Sequence, residues 1–200
     1  MCSHKHICAG GYRLREYNQV MSVSSKVVVV DIECTCWAAR DDIPSEIIEL
    51  GICVFDGATG DLGRKASFLV RPDRLDISEY CTRLTGLTED RLTKEGRPLV
   101  EILNRLRKLY AIKNGVWAGW GSGDRAHMAR ETSAKGIGNP FGGDYLDIGF
   151  LYRLHSRSRR RVGLEDALWT LDMDFEGRPH SGADDAWNAA RVLRRLTGWQ

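Results

Sequence analysis

The run Val27-Val-Val-Val-Asp31-Ile-Glu33 constrains this chain more than any other stretch. Consecutive β-branched residues favour extended backbone, and a short unbroken apolar run reads as a buried strand. This one ends in two acids. Successive strand side chains alternate faces, so Asp31 and Glu33 project together while Ile32 points the other way. Carboxylates converging at a strand end hold hard, oxygen-seeking cations such as Mg²⁺. The plainer alternative is a polar pair at a sheet edge.

Glu46–Phe55 reads as a second strand, followed by an Asp56-Gly57 turn, and Lys65–Arg71 as a third, stopped by Pro72. Two short connections in a row predict an antiparallel meander, because parallel pairing needs a longer crossover. The period then changes. Leu99, Ile102, Leu103, Leu106 and Leu109 recur at helical spacing after Pro98. Val116–Trp120 reads as a fourth strand, and Asp124–Lys135 as a helix closed by Gly136. Asp144–Ile148 is a short fifth strand, with helices near 148–155, 163–171 and 182–196. Strands first and alternating strand and helix afterwards indicate an α/β fold, a mixed sheet with helices packed against it. With no internal repeat and no linker, residues 26–200 read as a single domain and 1–25 as a disordered extension.

Charge and apolar content exclude several classes. No stretch approaches the roughly 20 apolar residues of a membrane helix, and the first residues lack the apolar core of a signal peptide. The six cysteines are therefore expected as reduced thiols in a cytoplasmic protein. A net charge of +2 announces no nucleic-acid partner, so any basic surface is local. Cys2, His4, His6 and Cys8 invite a zinc reading, but zinc sites usually need wider spacings to wrap a tetrahedron, so a disordered tail is favoured, and Met21 is a candidate natural start.

Two further motifs carry chemistry. In Trp117-Ala-Gly-Trp-Gly-Ser-Gly-Asp124 the last residue begins a helix, so it reads either as an N-cap or as a ligand. The second is His180-Ser-Gly-Ala-Asp-Asp185. On a helix starting near Gly182, Asp185 shares its stripe with Ala189, Val192 and Leu196, which face the core. Asp184 shares its stripe with Asn188, Arg191 and Arg195, expected to face water. Asp185 is thus the inward carboxylate, and Asp184 a favourable charge at the helix N-terminus. His180 sits in the loop just before, within reach of a site formed by the acids. The Arg157–Arg161 stretch reads as a phosphate contact or a solvated loop. Trp169 and Trp187 fall at core spacing and are expected as packing.

These residues resemble the DEDDh 3′→5′ exonucleases, of the ribonuclease H-like fold. Asp31-Ile-Glu33, Asp124 and His180-x4-Asp185 match the three motifs of that family in order. The class with tyrosine would carry it four residues before the last Asp, where Ser181 stands. Asp31-Ile-Glu-Cys-Thr-Cys-Trp37, Glu46-Ile-Ile-Glu49, Cys81-Thr-Arg-Leu-Thr-Gly-Leu87 and Asp174-Phe-Glu-Gly-Arg-Pro-His180 look like the branch containing the histone-mRNA and small-RNA 3′-end exonucleases and the bacterial KapD-type proteins. The resemblance covers about residues 26–197. One departure stands out: the branch often has an aromatic before the middle Asp, and here that residue is Gly123, leaving Trp120 as the nearest substitute.

The resemblance implies a five-stranded mixed sheet with the site at the end of the first strand. It implies two Mg²⁺ ions, with Mn²⁺ as a substitute, held by Asp31, Glu33, Asp124 and Asp185 roughly 4 Å apart. His180 would be the general base. Ile32, Tyr80, Leu84 and His180 would hold the terminal nucleotide. The expected substrate is nucleic acid with a free 3′ end, RNA favoured, cleaved to nucleoside 5′-monophosphates. A DNA-directed exonuclease and an inactive RNA-binding module are the rival readings.

Overall fold

In the computed structural model, residues 25–39, 44–74, 76–110 and 115–199 are described. The Cys2–Cys8 pattern, Met21 and nearly all of the expected extension lie outside them. Strand β1, Lys26–Cys34, pairs antiparallel with β2, Ile47–Asp56, which pairs antiparallel with β3, Ala66–Leu69. This is the expected meander. On its other edge β1 runs parallel to β4, Val116–Gly119, and β4 to β5, Tyr145–Asp147. The order is β3-β2-β1-β4-β5, a five-stranded mixed sheet with the acid-bearing strand at its centre.

The alternation of β1 sorts its side chains onto two cores. Val28, Val30 and Ile32 join Leu99, Ile102, Leu103 and Leu106 of α3, Leu99–Tyr110, together with Met128 of α4, Gly123–Ala134. Val29 packs on the opposite face with Ile148 and Tyr152 of α5, Ile148–Ser156, and Leu168 of α6, Leu164–Thr170. Ala186, Ala189, Val192 and Leu193 of α7, Gly182–Leu196, complete that layer. Asp31 and Glu33 continue the parity of Val29, so they emerge on the α7 face.

Two short helices escape the periodicity. α1, Glu79–Thr85, is capped by Ser78, whose hydroxyl accepts the Cys81 N–H, and ends at Gly86 in the left-handed conformation. α2, Glu89–Glu95, is capped in the same way by Thr88. Cys81, Leu87 and Leu92 bury against Ile48 in a small satellite core. At seven residues each, these helices are too short to display an apolar stripe. Elsewhere the observed ends fall close to the expected ones. No helix among the described residues is long and apolar enough to cross a membrane.

Trp169 departs from expectation. It is 79% exposed, because α6 turns Ala167 and Leu168 to the core and leaves Trp169 on the outer side. Trp187 is half-buried, and its indole N–H donates to Glu176 at 2.7 Å.

Candidate active site

The site begins with how β2 seats α7. Gly51 lies opposite Asp31 in the β1–β2 ladder, and Glu49 lies opposite Glu33. A Cβ on Gly51 would fall 1.8 Å from the carbonyl oxygen of Gly182, so only glycine lets the start of α7 reach the sheet. Glu49, buried, accepts the Gly182 N–H at 3.1 Å through one oxygen and the Ser67 hydroxyl at 2.6 Å through the other. A carboxylate at a helix N-terminus satisfies an otherwise orphaned N–H and favours the helix dipole. Asp185, in the first turn of α7, is thereby brought to the end of β1.

Asp124 arrives from the other side. It stands in the first turn of α4, just past β4, and its Oδ1 accepts the backbone N–H of Ile32 at 3.2 Å. The N-cap of that helix is Ser122, which makes no side-chain cap, so the capping alternative for Asp124 does not hold. Asp31, Ile32, Glu33, His180 and Asp185 line one cleft of about 440 Å³. Metal-competent atoms of Glu33, His180 and Asp185 lie within 4.8 Å of one another. A larger hollow of about 630 Å³, bounded by Trp187 and Trp199, holds none of these acids.

Gathering carboxylates in a half-buried cleft penalises their charged forms twice, by desolvation and by mutual repulsion. Burial and then Asp124, Asp185 and Glu33 push Asp31 well above the usual carboxylate range. Burial and then Asp185 and Glu49 raise Glu33 to about 7. Burial likewise raises Asp124 and Asp185 to about 7. Only the Arg178 guanidinium opposes the rise of Glu33, too little positive charge for four acids, and carboxylate oxygens suit divalent magnesium or manganese. The residues fit the ions that the motifs imply.

His180 is exposed and adopts a left-handed backbone, φ 59°, directly before α7. The loop that carries it is tied down by residues whose roles were not anticipated. The Arg178 guanidinium donates to the carbonyl of Leu84 on α1, and the Arg178 backbone N–H donates to Asp184 at 2.9 Å. Asp184 also pairs with Lys65. Against the pull of burial, those contacts bring its carboxyl below the ordinary range. Gly177, at φ 98°, lies so close to this carboxylate that a Cβ would strike it.

The expectation of a solvent-facing stripe is therefore corrected. Asn188 is 0% exposed and exchanges hydrogen bonds with the backbone of Glu176, and Arg191 pairs with Glu176. Asp184, Asn188 and Arg191 face the 174–178 segment, while Arg195 is exposed as expected.

Of the residues expected to hold a nucleotide, Ile32 and His180 line the cleft. Tyr80 and Leu84 lie one helical turn apart on α1, tied to the His180 loop through Arg178. Trp120 is committed elsewhere, with its indole N–H on the Val162 carbonyl at 3.0 Å and its ring against Tyr152.

The comparisons with known proteins agree with this geometry. A family model described as exonuclease, RNase_T, matches residues 28–193. ERI1 exoribonuclease 2 of Danio rerio is 28% identical over 197 residues, covering 86% of this chain and 35% of that protein. The chain thus spans about a third of that relative's length. The 3′-5′ exonuclease Snipper of Drosophila melanogaster is 29% identical over 202 residues, covering 88% of this chain and 70% of its own. Among solved structures, the nuclease domain of 3′hExo, a DEDDh family member bound to rAMP, superposes with a TM-score of 0.79. It is 25% identical and covers 88% of this chain and 92% of that one.

Proposed function

The chain belongs to the RNase_T exonuclease family, and from that premise we propose that it is a 3′→5′ exonuclease acting on RNA and releasing nucleoside 5′-monophosphates. One observation carries this reading. Four carboxylates from three distant parts of the sequence converge at the end of β1, with His180 on the rim of the same cleft. RNA is favoured because the relatives carry names such as exoribonuclease 2 and 3′-5′ exoribonuclease 1.

Asp31, Glu33, Asp124 and Asp185 would hold two Mg²⁺ ions, or Mn²⁺ in their place. Bound there, the ions supply charge for the scissile phosphate and lower the pKa of a water. The remaining work belongs to the protein. Asp31 and Glu33 are fixed by the central strand, Asp124 by its hydrogen bond to Ile32, and Asp185 by the seating of α7 on Glu49 and Gly51. A ring nitrogen of His180 would take the proton from the attacking water. Ile32, Tyr80 and Leu84 would bracket the terminal nucleotide, with α1 held in place by Arg178. We read residues 26–200 as one exonuclease domain, and the free thiols of Cys34, Cys36, Cys53 and Cys81 suit a cytoplasmic protein.

Digestion of RNA and DNA labelled at either end, with Mg²⁺ or after chelation, tests this directly. The expected outcome is metal-dependent shortening from the 3′ end, faster on RNA, and at least about 10²-fold slower in Asp185→Asn. Faster digestion of DNA would move the protein to the DNA-directed reading. Binding without cleavage would make it an RNA-binding module.

A further inference from the structure

A second hollow of about 420 Å³ adjoins the catalytic cleft. Its floor is Gly121–Gly123, the three residues before Asp124, and a strip of chain separates it from the first cleft. Arg161 and Val162 of that strip face the second hollow, while Gly163 and Leu164 face the first. The Trp120 indole holds the strip through the Val162 carbonyl. On the far wall stand Phe150, 51% exposed, and Arg153, whose guanidinium carbon lies 5.8 Å from the Phe150 ring centroid.

This hollow has unmet chemistry. The Arg153 Nε is buried without a hydrogen-bond partner, which a folded protein rarely tolerates without a ligand or solvent to take the proton donor. Arg161 is exposed and makes no ion pair or hydrogen bond among the described residues. The one acid of the hollow, Asp147, is engaged as the N-cap of α5 through the Phe150 N–H at 2.8 Å. Two guanidinium groups without carboxylate partners match phosphodiester oxygens. The exposed Phe150 ring in the same hollow matches a base. Gly123 presents no side chain, and a Cβ there would meet nothing within 4 Å, so the floor of the hollow beside Asp124 is open.

We propose that this hollow is the subsite for the nucleotides immediately 5′ of the bond being cleaved, with Phe150 stacking a base and Arg153 and Arg161 binding the phosphodiesters. The proposal rests on the exonuclease reading above. A strand whose last nucleotide occupies the catalytic cleft leaves it past Asp124, over Gly123 and into the second hollow.

The test compares a p-nitrophenyl ester of uridine 5′-monophosphate, whose leaving group carries no base or further phosphodiester into the second hollow, with oligoribonucleotides of increasing length. For the wild type, KM should fall as nucleotides are added behind the terminal one. Phe150→Ala should lose about tenfold or more of that gain, the contribution of one stacked base, with ester turnover retained. Arg161→Gln and Arg153→Gln should each lower the salt slope of oligonucleotide binding, measured in Ca²⁺, by about 0.7. Arg161 is exposed and makes no side-chain hydrogen bond or ion pair among the described residues, so its variant separates binding from folding. Variants that digest oligonucleotides with the wild-type length dependence and salt slope would overturn the subsite and leave the exonuclease reading standing. A wild type that hydrolyses neither ester nor oligonucleotide would bring down both.

Discussion

Glu33 and Glu49 face one another across the antiparallel ladder of β1 and β2, yet they do different work. Glu49 is saturated by the Gly182 N–H and the Ser67 hydroxyl, and it anchors α7. Glu33 turns to the cleft, where burial and then its acidic neighbours raise it to about 7. Like charges opposite in a sheet destabilise it. Here the repulsion is held in place, and a bound cation would relieve it.

The first prediction concerns pH and metal removal. In the metal-free protein Glu33, from 4.5, and Asp124 and Asp185, from 3.8, are each raised to about 7. The folded state therefore binds more protons than the unfolded chain between roughly pH 4 and 7, and its stability falls as pH rises through that window. Above it the curve should level. Mg²⁺ competes with those protons, so it should raise the melting temperature far more at pH 8 than at pH 5. A chelated sample whose melting temperature is flat from pH 4.5 to 7.5 would contradict the packed array of acids.

His180 calls for a variant that respects its backbone. Asparagine tolerates the left-handed conformation at φ 59°, so His180→Asn removes the imidazole without adding strain. We expect kcat to drop about 10²–10⁴-fold, the usual contribution of a positioned general base, with the Mg²⁺ titration midpoint unmoved. Because His180 also lies within ligand distance of Glu33 and Asp185, recovery of the variant by excess metal would make it a ligand instead.

Gly51→Ala tests the seating of α7. The added carbon would sit 1.8 Å from the Gly182 carbonyl, and the helix start must back away. Overpacking of this kind costs about 1–3 kcal/mol, and Asp185 moves with the helix. Denaturant unfolding and kcat should therefore worsen together. Wild-type values for both would mean that the close approach is not needed.

Asp184→Ala should be neither silent nor fatal. Its carboxylate holds the Arg178 N–H and the Lys65 ammonium rather than a metal ion, so its loss loosens the loop bearing His180. We expect about a tenfold fall in kcat, consistent with slight misplacement of a catalytic group, against at least about 10²-fold for Asp185→Ala. Equal losses in the two variants would assign both acids to the metal site.

How much of this was legible in the sequence follows from the range of the interactions. The β-branched run, the apolar periodicity of α3 and the Ala189–Val192–Leu196 stripe are local patterns, and the sheet and major helices follow from them. Asp185 was separable from Asp184 because helical spacing distinguishes adjacent residues. The anchoring by Glu49, by contrast, depends on a residue 133 positions away, and Arg178 bonds to a carbonyl 94 positions away. No spacing rule reaches that far. Trp169 misled because core spacing on a seven-residue helix is satisfied by too few points to define a face.

The seating of α7 on Glu49 and Gly51 has a further consequence for a nascent chain. Asp185 and His180 reside on and just before α7, the last of the described helices, which docks on strands made some 130 residues earlier. A nascent chain that has not yet exposed α7 holds β1, β2, Asp31, Glu33 and Asp124, but it lacks Asp185 and the helix that closes the cleft. The proposed site would therefore assemble only once α7 has docked on those strands.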